Sequence, residues 1–121
     1  CCAAPPPALE ALLEMGAFIS FSGTVTRPDD NRASQIVARV PLDRLLIETD
    51  APDQIPFSLP AEAQRKPNEP SRLPEVLDAV ASLHGSAREK AASASSGNAR
   101  RFFGFESRRQ DGKLPPQGGS Q

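Results

Sequence analysis

Two carboxylates, Glu48 and Asp50, follow directly on the aliphatic run Leu45-Leu46-Ile47, and Ala51-Pro52 closes the stretch. A continuous apolar run bounded by breakers suits a strand buried on both faces, expected here over Leu45 to Thr49. The acids then fall at the carboxyl edge of a parallel sheet. Ligands and catalytic groups collect at that edge in open α/β sheets and in (β/α)8 barrels. Asp50 is therefore the first candidate for chemistry. An Asp before Ala-Pro is also ordinary turn chemistry, and the spacing alone leaves a simple cap open.

The elements that must position these acids are legible on either side. Leu9, Leu12 and Leu13 fall at helical spacing, with Gly16 where a C-cap belongs. Ala17 to Phe21 is rich in aromatic and β-branched residues and predicts a strand closed by Ser22-Gly23. Asp29 and Asp30 stand where they can cap a helix whose face carries Ala33, Ile36, Val37 and Val40. Pro41 ends that helix. Strand, helix and strand with short connections make one right-handed parallel βαβ unit.

Beyond Asp50, residues Ala51 to Pro70 carry several prolines and no periodicity, which predicts a long functional loop. Ser71 is placed to cap a helix with Leu73, Val76, Leu77 and Val80 on one face, and Pro74 is tolerable in its first turn. Gly85 ends it. Ser86-Ala-Arg-Glu89 reads as a capping box for another helix. Asn98 is expected to open a last turn anchored by Phe102 and Phe103. Residues 1–8 form a proline-rich lead and 105–121 a polar tail, both expected to be disordered. The globular portion is 9–104.

Composition narrows the function classes. The 121 residues suit one modest domain, whereas a complete (β/α)8 barrel takes ~250. The formal net charge is −1, without the basic excess of a dedicated nucleic-acid binder. Cys1 and Cys2 are adjacent and terminal, so they make neither a disulfide framework nor a metal-ligand spacing. They point to a reduced, intracellular chain, expected in the cytoplasm. No stretch has the length or apolarity of a membrane span, and no signal-peptide pattern opens the chain. A first residue other than Met points to a missing true N-terminus.

Four segments, in order, resemble the TatD family of metal-dependent hydrolases, deoxyribonucleases among them. Gly16-Ala-Phe-Ile-Ser-Phe-Ser-Gly23 is similar to the family's penultimate barrel strand, and Val40-Pro-Leu-Asp-Arg-Leu-Leu-Ile-Glu-Thr-Asp-Ala-Pro52 to its last strand and the approach to it. Asn68-Glu-Pro70 resembles the tripeptide before the C-terminal helix. Asn98-Ala-Arg-Arg-Phe-Phe-Gly104 resembles the closing segment. The resemblance implies an α/β chain holding the last two βα units of a TIM (β/α)8 barrel, incomplete here. It implies a divalent metal ion, Zn, Mg or Mn, with Asp50 as a ligand and catalytic group. A carboxylate at a strand end can hold such an ion and orient its water. Glu48, two residues earlier, points the same way in a regular strand. It is a supporting residue, with Asn68, Glu69 and Arg72 shaping the mouth or anchoring the helix.

The other ligands that the resemblance implies are a His-x-His pair, a middle-strand Glu and further His, at positions this chain does not contain. His84, its single histidine, falls at a helix end, where a charge or hydrogen bond is favourable. One carboxylate does not make a catalytic metal site. The resulting expectation is a fragment of a metal-dependent hydrolase acting on ester bonds, the phosphodiesters of DNA foremost, and inactive alone. Nucleic acid is then the substrate of the whole protein, and the missing barrel half or a subunit is a partner. The competing expectation is a non-catalytic remnant or partner-binding module that keeps only the end of the barrel. A third, an unrelated small α/β binding domain, would make Asp50 only a cap.

Overall fold

The computed structural model describes residues 4–105. The first helix, α1 (Pro6–Glu14), begins within the expected lead, because proline is accepted in a first helical turn where its missing N–H costs no bond. Residues 6–8 are thus helical. Residues 1–3, and the expected tail from residue 106 onward, lie outside the described residues. Phe105 is not part of a tail. Its N–H donates to Arg100 O at 2.8 Å, completing the C-terminal cap around Gly104, which has φ 74°.

Strand β1 (Ile19–Phe21) and strand β2 (Leu45–Ile47) pair in parallel, Ile19 against Leu45, Ser20 against Leu46 and Phe21 against Ile47. Between them runs α2 (Asn31–Arg39). The Asp30 carboxylate caps it, accepting from the backbone N–H of Arg32 at 3.0 Å and of Ala33 at 3.3 Å. Among the described residues the sheet has these two strands alone. One of its faces carries Ile19, Phe21 and Leu45. These join Leu9, Ile36, Val37, Val40, Val76 and Val80 in the main core. Burying each such side chain stabilises the fold by ~1.5–3 kcal/mol before entropy is counted. The other face carries Ser20 and Leu46, both only partly buried. Strand β2 is therefore not buried on both faces, contrary to the pattern of its sequence. It also stops at Ile47, short of Thr49.

The segment after β2 is not featureless. Helix α3 (Ala61–Gln64) forms inside it, and Gln64 Nε2 donates to Phe57 O and Leu59 O at 3.0 and 2.6 Å. A 3-10 turn over Pro70–Arg72 then leads into α4 (Leu73–His84). That turn places Arg72, not Ser71, at the N-cap, and the Ser71 hydroxyl donates instead to Glu69 Oε2 at 3.2 Å. Gly85, at φ 75°, ends α4 as its position predicts. The capping box does not form. The Ser86 hydroxyl is engaged by His84 Nδ1 at 2.6 Å, so Ala87 caps α5 (Arg88–Phe103) without a side-chain bond.

Helix α5 also overturns the expectation of a separate turn at Asn98, which is buried mid-helix. Its Nδ2 donates to Leu42 O at 2.7 Å and Leu45 O at 2.8 Å, pinning α5 to the start of β2. The helix is anchored by Ala91, Ser95 and Asn98, whereas Phe102 and Phe103 are exposed. His84 serves a helix end, but that of α2. Its Nε2 lies 2.9 Å from the carbonyl of Val40, the C-cap residue of α2. A carbonyl only accepts, so Nε2 carries the proton.

Candidate functional site

Parallel pairing sets the ends of β1 and β2 side by side, and the polar residues there form two small constellations. In the first, Ser20 Oγ donates to Glu48 Oε2 at 2.8 Å, and Glu48 N–H donates to Phe21 O at 2.8 Å, prolonging the ladder one step beyond β2. Burial raises the pKa of the Glu48 carboxyl. Hydrogen bonds to its charged form, that from Ser20 among them, bring it below the ordinary carboxylate value.

The second constellation surrounds Asp50. The chain turns out of the strand at this residue, which is exposed and has φ 58°, a left-handed conformation that Asp tolerates better than most side chains. The alternation that would aim Glu48 and Asp50 alike therefore ends before Asp50, and each carboxylate keeps different company. Asp50 Oδ2 accepts from Gln54 Nε2 at 2.6 Å. Gln54, itself at φ 55°, accepts on Oε1 from the buried Ser22 hydroxyl at the end of β1. A relay from Ser22 through Gln54 to Asp50 thus ties the two strand ends together.

Asn68 holds this loop in place. It is 5% exposed, and its Nδ2 donates to Thr49 O and Asp53 O at 2.8 Å each, with Gln54 O at 3.4 Å. Its backbone N–H donates to Pro52 O at 2.9 Å, and its Oδ1 accepts from Glu69 N–H at 2.9 Å. One side chain therefore stitches both ends of the Asp50 turn to the approach of α4. Gly23 closes the site from beneath. A Cβ there would lie 2.0 Å from Gln54 O, so only glycine admits the loop backbone this close. Glu69 bonds within its own turn, and Arg72 is the half-buried N-cap residue of α4.

The donor chemistry fits part of a divalent-cation site. Asp50 presents an exposed carboxylate with Oδ2 steadied by Gln54, the hard oxygen such ions take. Among the described residues no group of three or more His, Cys, Asp or Glu side chains is gathered for a metal. Sequence reasoning singled out Asp50, Glu48 and Asn68, and structure adds Gln54 and Gly23. The spacing offered no signal for Gln54, which sits in an aperiodic loop and reaches Asp50 only because both residues adopt positive φ. Among the described residues no helix is long and apolar enough to cross a membrane.

Proteins of known sequence and structure resemble this chain over most of its length. The uncharacterized metal-dependent hydrolase YcfH of Escherichia coli K12 is 37% identical over 98 residues, covering 81% of this chain and 36% of that protein. The 3'-5' ssDNA/RNA exonuclease TatD of Citrobacter rodentium is 33% identical over 100 residues, 80% of this chain and 37% of the relative. The crystal structure of YJJV, a TatD homolog from Escherichia coli K12, superposes with a TM-score of 0.74 at 26% identity. That match takes in 85% of this chain and 38% of the other. The chain thus spans a little over a third of the length of the curated relatives it matches, and its fold is that of part of a TatD-type TIM barrel. Residues 1–104 match the family model for TatD related DNase, and the chain belongs to that family.

Proposed function

We propose that this chain is the C-terminal portion, the last two βα units, of a metal-dependent hydrolase that cleaves phosphodiesters of nucleic acid, DNA foremost, and that it is inactive alone. The observation that carries this reading is Asp50. It is exposed at the carboxyl end of a parallel strand pair, held at φ 58° and hydrogen-bonded to a residue at φ 55°. Such conformations cost of order 1–3 kcal/mol each and persist where surrounding structure over-determines them, as at functional sites. Relatives named as a metal-dependent hydrolase and an ssDNA/RNA exonuclease supply the reaction class and the substrate.

In this reading Asp50 contributes one carboxylate to a divalent ion, and Gln54 fixes its rotamer. Asn68 sets the height of the turn above the sheet. Glu48, oriented by Ser20, supports the site from the neighbouring face position, while Glu69 and Arg72 anchor the start of α4 at the mouth. A bound ion lowers the pKa of its water and neutralises charge building on a phosphoryl oxygen. The remaining ligands come from the rest of the barrel, which is why the chain alone lacks activity.

The test compares two proteins on a single-stranded oligodeoxynucleotide with Mg2+, Mn2+ or Zn2+. One is this chain; the other is a chimera in which the residues of YcfH that precede its matching segment are fused ahead of it. Metal-dependent hydrolysis is expected from the chimera alone. Hydrolysis by the isolated chain would overturn its inactivity. A folded chimera inert with every metal would favour a non-catalytic module.

A further inference from the structure

We infer that Phe57 and Arg27 form a subsite for one unpaired nucleotide of the substrate, next to the two that share the scissile phosphodiester. Phe57 stacks on its base and Arg27 takes its phosphate. This rests on the reading above of a nucleic-acid hydrolase and assigns to it residues that select single strands.

The pair is displayed by the two loops that build the Asp50 turn. After β1 the chain enters the 3-10 turn Gly23–Thr26, and after β2 it passes from Asp50 through Gln54 to Phe57. Gly23 packs against Gln54 O, so the second loop crosses the first at the carboxyl ends of both strands. Thr26 fastens the crossing. Its Oγ1 donates to Gly23 O at 2.5 Å and accepts from the Phe57 N–H at 2.7 Å. Gln64 Nε2 donates to the Phe57 carbonyl at 3.0 Å. Both backbone polar groups of Phe57 are therefore held by side chains, while its ring stays 43% exposed. Phe57 is three residues from Gln54, so their Cα atoms lie within ~11 Å of each other, the reach of a neighbouring nucleotide.

A ring pinned through its backbone yet left in solvent adds little burial. What it presents is a rigid π-face. The Arg27 guanidinium lies over that ring, 5.0 Å from its centroid. It is exposed, and among the described residues it forms no ion pair. An aromatic beside an available cation is the combination that holds single strands, because every unpaired base has a π-face and every nucleotide a phosphate. In the proposed arrangement Arg27 keeps one face of the ring and the base takes the other. In a duplex the base faces are already stacked on their neighbours, so the subsite favours single strands. Arg27 and Ser58 also border a cleft of about 440 Å3 whose lining includes the carboxylates Asp30, Glu75 and Asp78. Those acids repel phosphate and confine the strand's backbone to the Arg27 side.

The test uses the YcfH chimera with Mn2+ on oligothymidylates of two and eight residues; only the longer reaches the subsite. Phe57→Ala and Arg27→Gln alter exposed side chains and leave the backbone bonds of Phe57 in place. Each is expected to raise KM for the octanucleotide at least fivefold, with kcat within twofold and the dinucleotide constants unchanged. Phe57→Tyr is expected to keep the wild-type KM. Equal losses on both lengths would overturn the subsite, since the pair would then only shape the loop. An unchanged octanucleotide KM in an active chimera would also overturn it and leave the proposed function standing.

Binding of fluorescein-labelled octathymidylate to the metal-free chimera, read by anisotropy, needs no catalysis. Phe57→Ala is expected to weaken it at least fivefold. Arg27→Gln is expected to reduce the slope of log affinity against log salt by ~0.7, the value of one single-strand phosphate contact. Phe103→Ala is the control, an exposed ring at the opposite ends of the strands, where its neighbour Phe102 meets Phe18 just before β1. These binding losses in a chimera inert with every metal would keep the subsite and overturn the hydrolase reading. No binding by the wild-type chimera, or a loss in Phe103→Ala in place of Phe57→Ala, would overturn the subsite.

Discussion

Replacing Asn68 should damage the Asp50 turn more than any other polar substitution in the chain. Its Nδ2 donates two bonds of 2.8 Å, to Thr49 O and Asp53 O, from a site 5% exposed. Each bond contributes about 1 kcal/mol net, and buried carbonyls left without donors cost ~1–3 kcal/mol more. Asn68→Ala is therefore expected to destabilise the chain by ~2–4 kcal/mol. Asn68→Asp keeps the shape but turns a carboxylate toward the same carbonyl oxygens. Its charged form is disfavoured on folding, so its folded pKa lies above the unfolded value of about 3.9. Below that value both states are protonated and the charge adds no penalty. As pH rises through and above it, the unfolded state ionises first and stability falls until the folded pKa is passed. The aspartate variant should thus lose more stability, relative to wild type, at pH 7 than at pH 4. With no Trp or Tyr in the chain, urea unfolding is followed by circular dichroism at 222 nm. Asn68→Ala within 0.5 kcal/mol of wild type, or an aspartate variant indifferent to pH, would refute the clamp.

Three further substitutions probe the supports of the site. Gly23→Ala sets a Cβ 2.0 Å from backbone Gln54 O, and the loop must move. A loss of at least ~3 kcal/mol is expected in the same urea assay, at the upper end of overpacking costs. Asp30→Ala removes two cap bonds to α2 and should cost ~1 kcal/mol, read as a lower urea midpoint with an unchanged slope. Asn98→Ala releases Leu42 O and Leu45 O and should cost ~2–3 kcal/mol. Faster amide exchange along β2 than in wild type would accompany it.

Local sequence carried the parts whose cause is local. The aliphatic face of α2 and its Asp30 cap, the αL glycine after α4 and the parallel strand pair all follow from spacing and capping chemistry. Motif resemblance singled out Asp50 and Asn68, and the fold brings the two into one hydrogen-bonded turn. What stayed hidden depends on long-range partners. Ser86 could cap α5 by its spacing, but His84 reaches it first. Asn98 looks like a helix opener until the carbonyls of Leu42 and Leu45 arrive from more than fifty residues away. Phe102 and Phe103 look like core anchors, yet they stay mostly exposed, Phe102 meeting only the edge of Phe18 and its neighbour Phe103. The Gln54 contact with Asp50 depends on two positive φ angles that no side-chain pattern encodes.

Asp50 is the most direct point at which to test the account. Asp50→Asn keeps a residue that tolerates positive φ and removes one exposed carboxylate, so stability should change by no more than ~0.5 kcal/mol. In the YcfH chimera, Mn2+ affinity and oligodeoxynucleotide hydrolysis are measured side by side for wild type and variant. The account predicts that both fall together, by at least tenfold, with the unfolding midpoint unchanged. Full metal affinity and full activity in Asp50→Asn would contradict it, leaving the acid as a turn residue and no more.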